Sequence, residues 1–313
     1  MISVIILIVG FIALIKCADM FVDGCSNIAK AFGIPSLVIG LTIVAFGTSA
    51  PEAAVSVTAS FQGNSDIAIG NVVGSNICNL LLVLGFSGLF GSLKAKNEII
   101  TRDFLYSLLS YLVLFILTWG AFYHNRDISI INRTSGAILL CFLGIYVYAL
   151  LMDAKKNIKE KTVKTKFSFK DVIFIIIGLA GIIIGGQMVV NGATAIASKI
   201  GISDNLIALT IVAIGTSLPE LVTSVMATKK GETDIAIGNV IGSNIFNIFF
   251  ILGLSSIANP LTLGMETFID IIIMLITGIL VYFLVLKNNR IGYKKGMLML
   301  ALYAVYTTYI IIR

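Results

Sequence analysis

The sequence predicts an all-α polytopic membrane protein of ten transmembrane helices, arranged as two inverted-topology five-helix repeats. Three observations predict it. Of 313 residues, 58% are hydrophobic and only 12% charged, against about 25% charged in a typical soluble domain. The apolar runs are long enough to cross a bilayer, at about 20 residues per helix. And one polar 45-residue segment occurs twice. A mean hydropathy of +1.03 agrees. Composition therefore excludes a disordered chain, a nucleic-acid module and an ordinary cytosolic enzyme.

The predicted spans are 2–29, 35–60, 66–91, 104–123, 129–151, 172–198, 204–227, 234–258, 267–286 and 293–312. The first carries no basic stretch before its apolar run, so it reads as a span and not a cleaved signal. The second, third, seventh and eighth are rich in Gly, Ser, Thr and Asn. A Lys-rich stretch divides the chain into a first repeat (1–152), a linker (153–170) and a second repeat (171–313). Lys and Arg fall 17 on one face and 4 on the other when assigned to alternate loops. By the positive-inside rule this places the linker in the cytoplasm of a cell-membrane protein and both termini outside. The net charge of +6 needs no acidic partner beyond that rule. Cys17, Cys25, Cys78 and Cys141 form no CxxC pair and read as small core residues.

Residues 41–85 and 209–253 align without a gap at an offset of 168, with 28 of 45 positions identical. A weaker match extends upstream, from Val22, Gly24, Ala29, Gly33 and Ile34 to Val190, Gly192, Ala197, Gly201 and Ile202. Because each half holds an odd number of predicted spans, the second half enters the membrane from the opposite face. Inverted repeats of this kind point to a transporter with its site near the midplane. The most similar segments are polar, so packing alone does not account for the duplication.

Each repeat carries GTSxPE in mid-helix: Gly47–Glu52 and Gly215–Glu220. Pro51 and Pro219 lack an N–H and clash with the carbonyl four residues earlier, so each helix should break. Broken helices survive at membrane depth only where they are buried or line a cavity. The freed carbonyls sit at the negative end of a half-helix, where a cation is favoured. Ser49 and Ser217 stand three residues before Glu52 and Glu220, the spacing of a capping box. Capping does not explain a carboxylate in mid-bilayer, which costs at least about 2–3 kcal/mol. Both glutamates are therefore candidate ion ligands.

On the next helix, Asn71, Ser75 and Asn79 share a face, and Asn239, Ser243 and Asn247 repeat them. Asn71, Asn76, Asn239 and Asn244 read as interhelical hydrogen-bond formers. Ser75, Asn79, Ser243 and Asn247 read as site lining. The pairs Gly70/Gly74 and Gly238/Gly242 should admit a close backbone neighbour. The donor set is two carboxylates, carbonyls, hydroxyls and amide oxygens, which suits Ca²⁺ or Na⁺ and not Zn²⁺ or Cu. Elsewhere, Lys16 is expected to pair with Asp19 one turn away, with an entrance gate formed by Lys16, Asp19 and Asp23 as the alternative. Asp66 and Asp234 read as helix-start residues facing the dipole.

GTSxPE followed by GNxxGSNxxN, present twice, resembles the paired repeats of the calcium/cation antiporter superfamily, most of all the sodium/calcium exchanger branch. The resemblance implies a central calcium site shared by Glu52 and Glu220 with the carbonyls of Thr48 and Thr216. It implies flanking sodium sites from Ala45 with Ser75 and Ala213 with Ser243. Ser49, Ser217, Asn79 and Asn247 would complete the lining. It also implies that helices 2–29 and 172–198 slide over the rest during alternating access. Relatives that also carry potassium, and many prokaryotic members, resemble GSNxFD where this chain reads GSNIFN, so Asn247 removes a third carboxylate and potassium-independent exchange is expected. The transported ions are Ca²⁺ and Na⁺, with no cofactor and no obligate protein partner; H⁺/Ca²⁺ antiport is the closest alternative. The only histidine, His124, falls in a predicted external loop, which leaves Ser49 and Ser217 without a base and argues against an intramembrane enzyme.

Overall fold

The computed structural model describes residues 2–123, 128–158, 168–201 and 213–312. Among the described residues the regular structure is helical apart from two short antiparallel ribbons. In chain order the helices are α1 (Ile2–Phe32), α2 (Ser36–Thr48), α3 (Ala50–Phe61), α4 (Ser65–Phe90), α5 (Phe104–Tyr123), α6 (Arg133–Ile158) and α7 (Phe169–Lys199). They continue with α8 (Ala213–Thr216), α9 (Leu218–Lys229), α10 (Thr233–Ala258), α11 (Met265–Leu286) and α12 (Tyr293–Ile312). Among the described residues, eight helices are long and apolar enough to cross a membrane. The pair α2–α3, bent by 48° at Ser49, makes up to nine. The predicted span 204–227 begins outside the described residues, and its described part is α8 and α9. His124 also lies outside them.

Two boundaries differ from expectation. Residues 129–131 do not open a helix. They form strand β1 (Ser129–Ile131), paired with β2 (Leu261–Leu263) in the register Ser129↔Leu263. Asn132 explains the shift, because its Oδ1 accepts from the backbone N–H of Ser135 at 2.9 Å and starts α6 there. At its other end α6 runs on through the first residues of the expected linker to Ile158. There Asp153 accepts from Arg102 Nη1 at 2.8 Å. Residues 159–167 of the linker lie outside the described residues.

Helices α4 and α10 occupy the middle of the bundle and are its most buried spans. Around them, α1, α5, α7, α11 and α12 turn large apolar side chains outward, among them Ile5, Ile116, Ile176, Ile184, Phe283 and Val305. An apolar belt of that extent fits lipid as its solvent. Among the described residues, four helical stretches are widened to π geometry: Gly40–Val44 in α2, Asn79–Val83 in α4, Ile99–Asp103 leading into α5, and Asn247–Leu252 in α10. Asn79 and Asn247 thus open matching π turns 168 residues apart, a device that re-aims side chains at functional sites.

The two 31-residue helices, α1 and α7, pack antiparallel along their length. A Cβ on Gly10 would stand 2.9 Å from the Val189 nitrogen, and one on Gly24 would stand 2.8 Å from the Asp171 carbonyl oxygen. From the other side, a Cβ on Gly178 would meet the Cys17 carbonyl, on Gly185 the Leu14 nitrogen and on Gly192 the Leu7 nitrogen, each at 2.9 Å. The backbones can approach this closely only because no side chain intervenes. Gly238 and Gly242 do the same for α10 against α2, around Leu37 and Leu41. The segment that would stand equivalently beside Gly70 and Gly74, 205–209, lies outside the described residues.

Candidate ion-binding site

Both GTSxPE segments interrupt their helices. Helix α2 ends at Thr48 and α3 begins at Ala50; α8 ends at Thr216 and α9 begins at Leu218. Pro51 and Pro219 fall in the first turn of the new helix, where a missing N–H is tolerated. Ser49 and Ser217 stand at the breaks but neither side chain caps the helix that follows. The capping-box reading is therefore replaced by a tertiary role: Ser49 Oγ donates to Glu220 Oε1 of the other half at 2.9 Å.

Glu52 and Glu220 are both fully buried. Neither takes part in an ion pair among the described residues. Glu220 Oε1 also lies 3.3 Å from the hydroxyl of Ser243, which reaches toward the Ala45 carbonyl oxygen at 3.4 Å. Glu220 Oε2 and both oxygens of Glu52 have no hydrogen-bond partner among the described residues. The hydroxyls of Ser75 and Ser217 and the amide oxygens of Asn79 and Asn247 are likewise buried and unpartnered. Buried polar atoms are ordinarily paired, because an unmade bond costs about 1–3 kcal/mol and more for a charge. A cluster of unpartnered oxygens with no cationic side chain beside it has the chemistry of a hard-cation site.

A second set of residues holds the ligands in place. Asn71 Nδ2 donates to the Glu52 carbonyl (3.3 Å) and Ser56 Oγ (2.9 Å), and Asn239 Nδ2 donates to the Glu220 carbonyl (3.3 Å) and Ser224 Oγ (3.0 Å). Thr48 Oγ1 crosses to Asn239 Oδ1 at 2.9 Å, and Thr216 Oγ1 crosses to Asn71 Oδ1 at 3.4 Å. The bond uses the proton of the Thr48 hydroxyl and leaves its oxygen lone pairs, like the Thr48 carbonyl, able to meet a cation. Ala213 opens α8. Asn71, Asn76, Asn239 and Asn244 all make the interhelical bonds expected of them. Sequence reasoning missed Ser56 and Ser224, although both stand one turn after a glutamate on the same helix face. It also missed Tyr111, whose hydroxyl accepts from Asn244 Nδ2 at 2.7 Å. Among the described residues no three His, Cys, Asp or Glu converge on a point, so this site is built on two carboxylates.

The charged cluster of α1 is arranged differently from expectation. Asp19 and Asp23 both pair with Lys230, at 2.8 and 2.6 Å, not with Lys16. Lys230 Nζ also donates to the Asp19 carbonyl oxygen at 2.8 Å. Its neighbour Glu232 accepts from Lys30 at 3.0 Å. The turn after α9 is thus fastened to α1. Asp234 sits in the first turn of α10, as expected, and is paired with Lys96; Asp66 sits in the first turn of α4.

A family profile described as sodium/calcium exchanger protein matches residues 2–152 and 170–312. The chain belongs to the sodium/calcium exchanger family. It is 34% identical to the sodium/calcium exchanger MaX1 of Methanosarcina acetivorans, over 97% of each chain. It is 37% identical to the inner membrane protein YrbG of Escherichia coli, over 82% of this chain and 79% of that one. Solved structures of the sodium-calcium exchanger NCX_Mj share its fold, with a TM-score of 0.82 at 34% identity over 97% of each chain.

Proposed function

We propose that this member of the exchanger family is a secondary antiporter that moves Ca²⁺ against Na⁺ by alternating access, without K⁺. The observation that carries the reading is the pair of fully buried carboxylates, Glu52 and Glu220, on two broken helices among unpartnered oxygens. Leaving two charges uncompensated in the bilayer is costly; one Ca²⁺ neutralises both. Sodium ions compete for the same oxygens, so the carrier holds one kind of cargo at a time. The inward sodium gradient then drives calcium outward. Thr48, Thr216, Ser49, Ser217, Ala45, Ala213, Ser75, Ser243, Asn79 and Asn247 line the path with the two glutamates. Exchange of this kind needs no enzymatic step and no cofactor.

The architecture proposed with it has ten spans in two inverted five-helix repeats, 1–152 and 171–313, joined by the cytoplasmic stretch 153–170, with both termini outside. Support comes from the crossing pair Thr48–Asn239 and Thr216–Asn71, related by an offset of 168 with the halves exchanged, and from the bonds Asn71–Glu52 and Asn239–Glu220 that repeat within each half. The likeness to MaX1 and NCX_Mj over almost the whole chain supports the sodium coupling.

The test is radiocalcium flux in proteoliposomes with Na⁺, K⁺ or H⁺ gradients imposed one at a time. Flux that follows the opposing Na⁺ gradient is expected. Flux that follows only a proton gradient identifies an H⁺/Ca²⁺ antiporter, and flux indifferent to every gradient identifies a channel. Glu52→Gln and Glu220→Gln should each abolish exchange; near-normal flux in either refutes the site.

A further inference from the structure

Asn79 and Asn247 each carry an amide with two chemically opposite ends. The oxygen attracts a cation and the NH₂ repels one. Which end faces the site is set by a neighbouring pair of asparagines that do not themselves line it. Asn76 Nδ2 donates to the Asn244 backbone carbonyl at 3.2 Å. A carbonyl can only accept, so Asn76 cannot turn its amide over without opposing two oxygens. Its Oδ1 is thereby held toward Asn247, whose Nδ2 donates to it at 2.9 Å. That bond takes the NH₂ end of Asn247 and leaves Asn247 Oδ1 buried with no protein partner.

The other half repeats the logic. Asn244 Nδ2 lies 3.4 Å from the Asn76 backbone carbonyl oxygen and donates to the Tyr111 hydroxyl at 2.7 Å. Asn244 Oδ1 accepts from Asn79 Nδ2 at 3.0 Å. Asn79 Oδ1 is then the end left buried and unpartnered. The chain of constraint runs from a backbone carbonyl, which has no choice of role, through one amide to the next.

We infer that Asn76 and Asn244 are positioning residues that fix the amide orientation of Asn247 and Asn79, so that both present oxygen to the transported cations. The inference rests on the reading that Asn79 and Asn247 line the ion path. Without Asn76 the bond that orders Asn247 is gone, and the NH₂ end competes for the ion-facing position.

The test is the half-saturating Ca²⁺ concentration for radiocalcium exchange in proteoliposomes. Asn76→Ala should raise it about tenfold, the equivalent of one ordinary hydrogen bond's preference, with the maximal rate nearly unchanged. The deciding measurement places the same change in an Asn247→Ser background. A serine hydroxyl has no wrong end to present, so Asn76→Ala should there have little effect. An equal rise in both backgrounds means that Asn76 only packs, and overturns the proposal. The mirror pair, Asn244→Ala with and without Asn79→Ser, gives the same decision if Asn76→Ala does not fold. Asn247→Ala separates the two layers. If it alters Ca²⁺ dependence while Asn76→Ala does not, only the positioning role fails. If Asn247→Ala has no effect, the ion-path reading of Asn247 fails and takes the proposal with it.

Discussion

Ser49 Oγ donates to Glu220 Oε1 at 2.9 Å, joining the break in one half to the carboxylate of the other. The equivalent bond from Ser217 to Glu52 is not made; Ser217 Oγ and both Glu52 oxygens are buried without partners among the described residues. Two half-sites of nearly the same sequence are therefore held in unequal states.

Removing the bond that is made should cost more than removing the serine that makes none. Ser49→Ala removes the shorter of the Ser49 and Ser243 contacts to Glu220 Oε1. A hydrogen bond to a charged group contributes about 1.5 kcal/mol or more, so the half-saturating Ca²⁺ concentration should rise about tenfold. Ser217→Ala should raise it less. Concentration-dependent radiocalcium exchange of the two variants side by side checks the order.

Arg102 is the counter-ion of a buried acid. It bonds Asp103, which is fully buried, at 2.8 Å and Asp153 at 2.8 Å. Arg102→Leu strands the Asp103 charge, a loss of about 3–5 kcal/mol. The yield of monodisperse protein after detergent extraction should collapse. The double variant Arg102→Leu/Asp103→Leu should recover much of it, since the buried charge is then gone and only the partly exposed Asp153 loses its partner.

The glycine contacts between α1 and α7 leave no space for a methyl group at Gly185, where a Cβ meets the Leu14 nitrogen at 2.9 Å and its Cα at 3.2 Å. Gly185→Ala gains helix propensity of at most about 1 kcal/mol but overpacks a backbone contact, at about 1–3 kcal/mol. A lower thermal unfolding temperature in detergent is expected. An unchanged or higher temperature would show that the two helices separate easily.

Lys230 makes three contacts to α1, all near the surface. Exposed pairs of this type contribute about 0.2–1 kcal/mol each and weaken with salt. Lys230→Ala should lower thermal stability slightly at low ionic strength, and the difference from wild type should shrink in high salt. A salt-independent difference would assign the loss to packing.

The broken helices and the two glutamates were legible because their signals are local. Pro51 and Pro219 interrupt apolar runs, and a carboxylate within such a run is too costly to be there for packing. The duplication made the reading stronger, since Thr48, Ser49 and Glu52 recur together 168 residues later. What was not legible depends on which distant residue arrives. Ser49 has the spacing of a cap, yet its hydroxyl faces Glu220. Lys16 has the spacing to reach Asp19, yet Lys230 from the other half takes that role. No proline or glycine announces the π turns at Asn79 and Asn247. And a sequence cannot say which end of an asparagine faces an ion, because that is decided by the carbonyl of Asn244 acting through Asn76.

The contact between α1 and α7 bears on the order in which the protein is made. Helix α1 leaves the ribosome before α7, carrying Gly10 and Gly24 on a face shaped for a helix that does not exist until after residue 169. Until then the close-packing surface of α1 has only lipid against it. Neither half of the duplication can complete its own packing, since each lends its longest helix to the other. Separately expressed halves should be degraded alone and should accumulate when co-expressed.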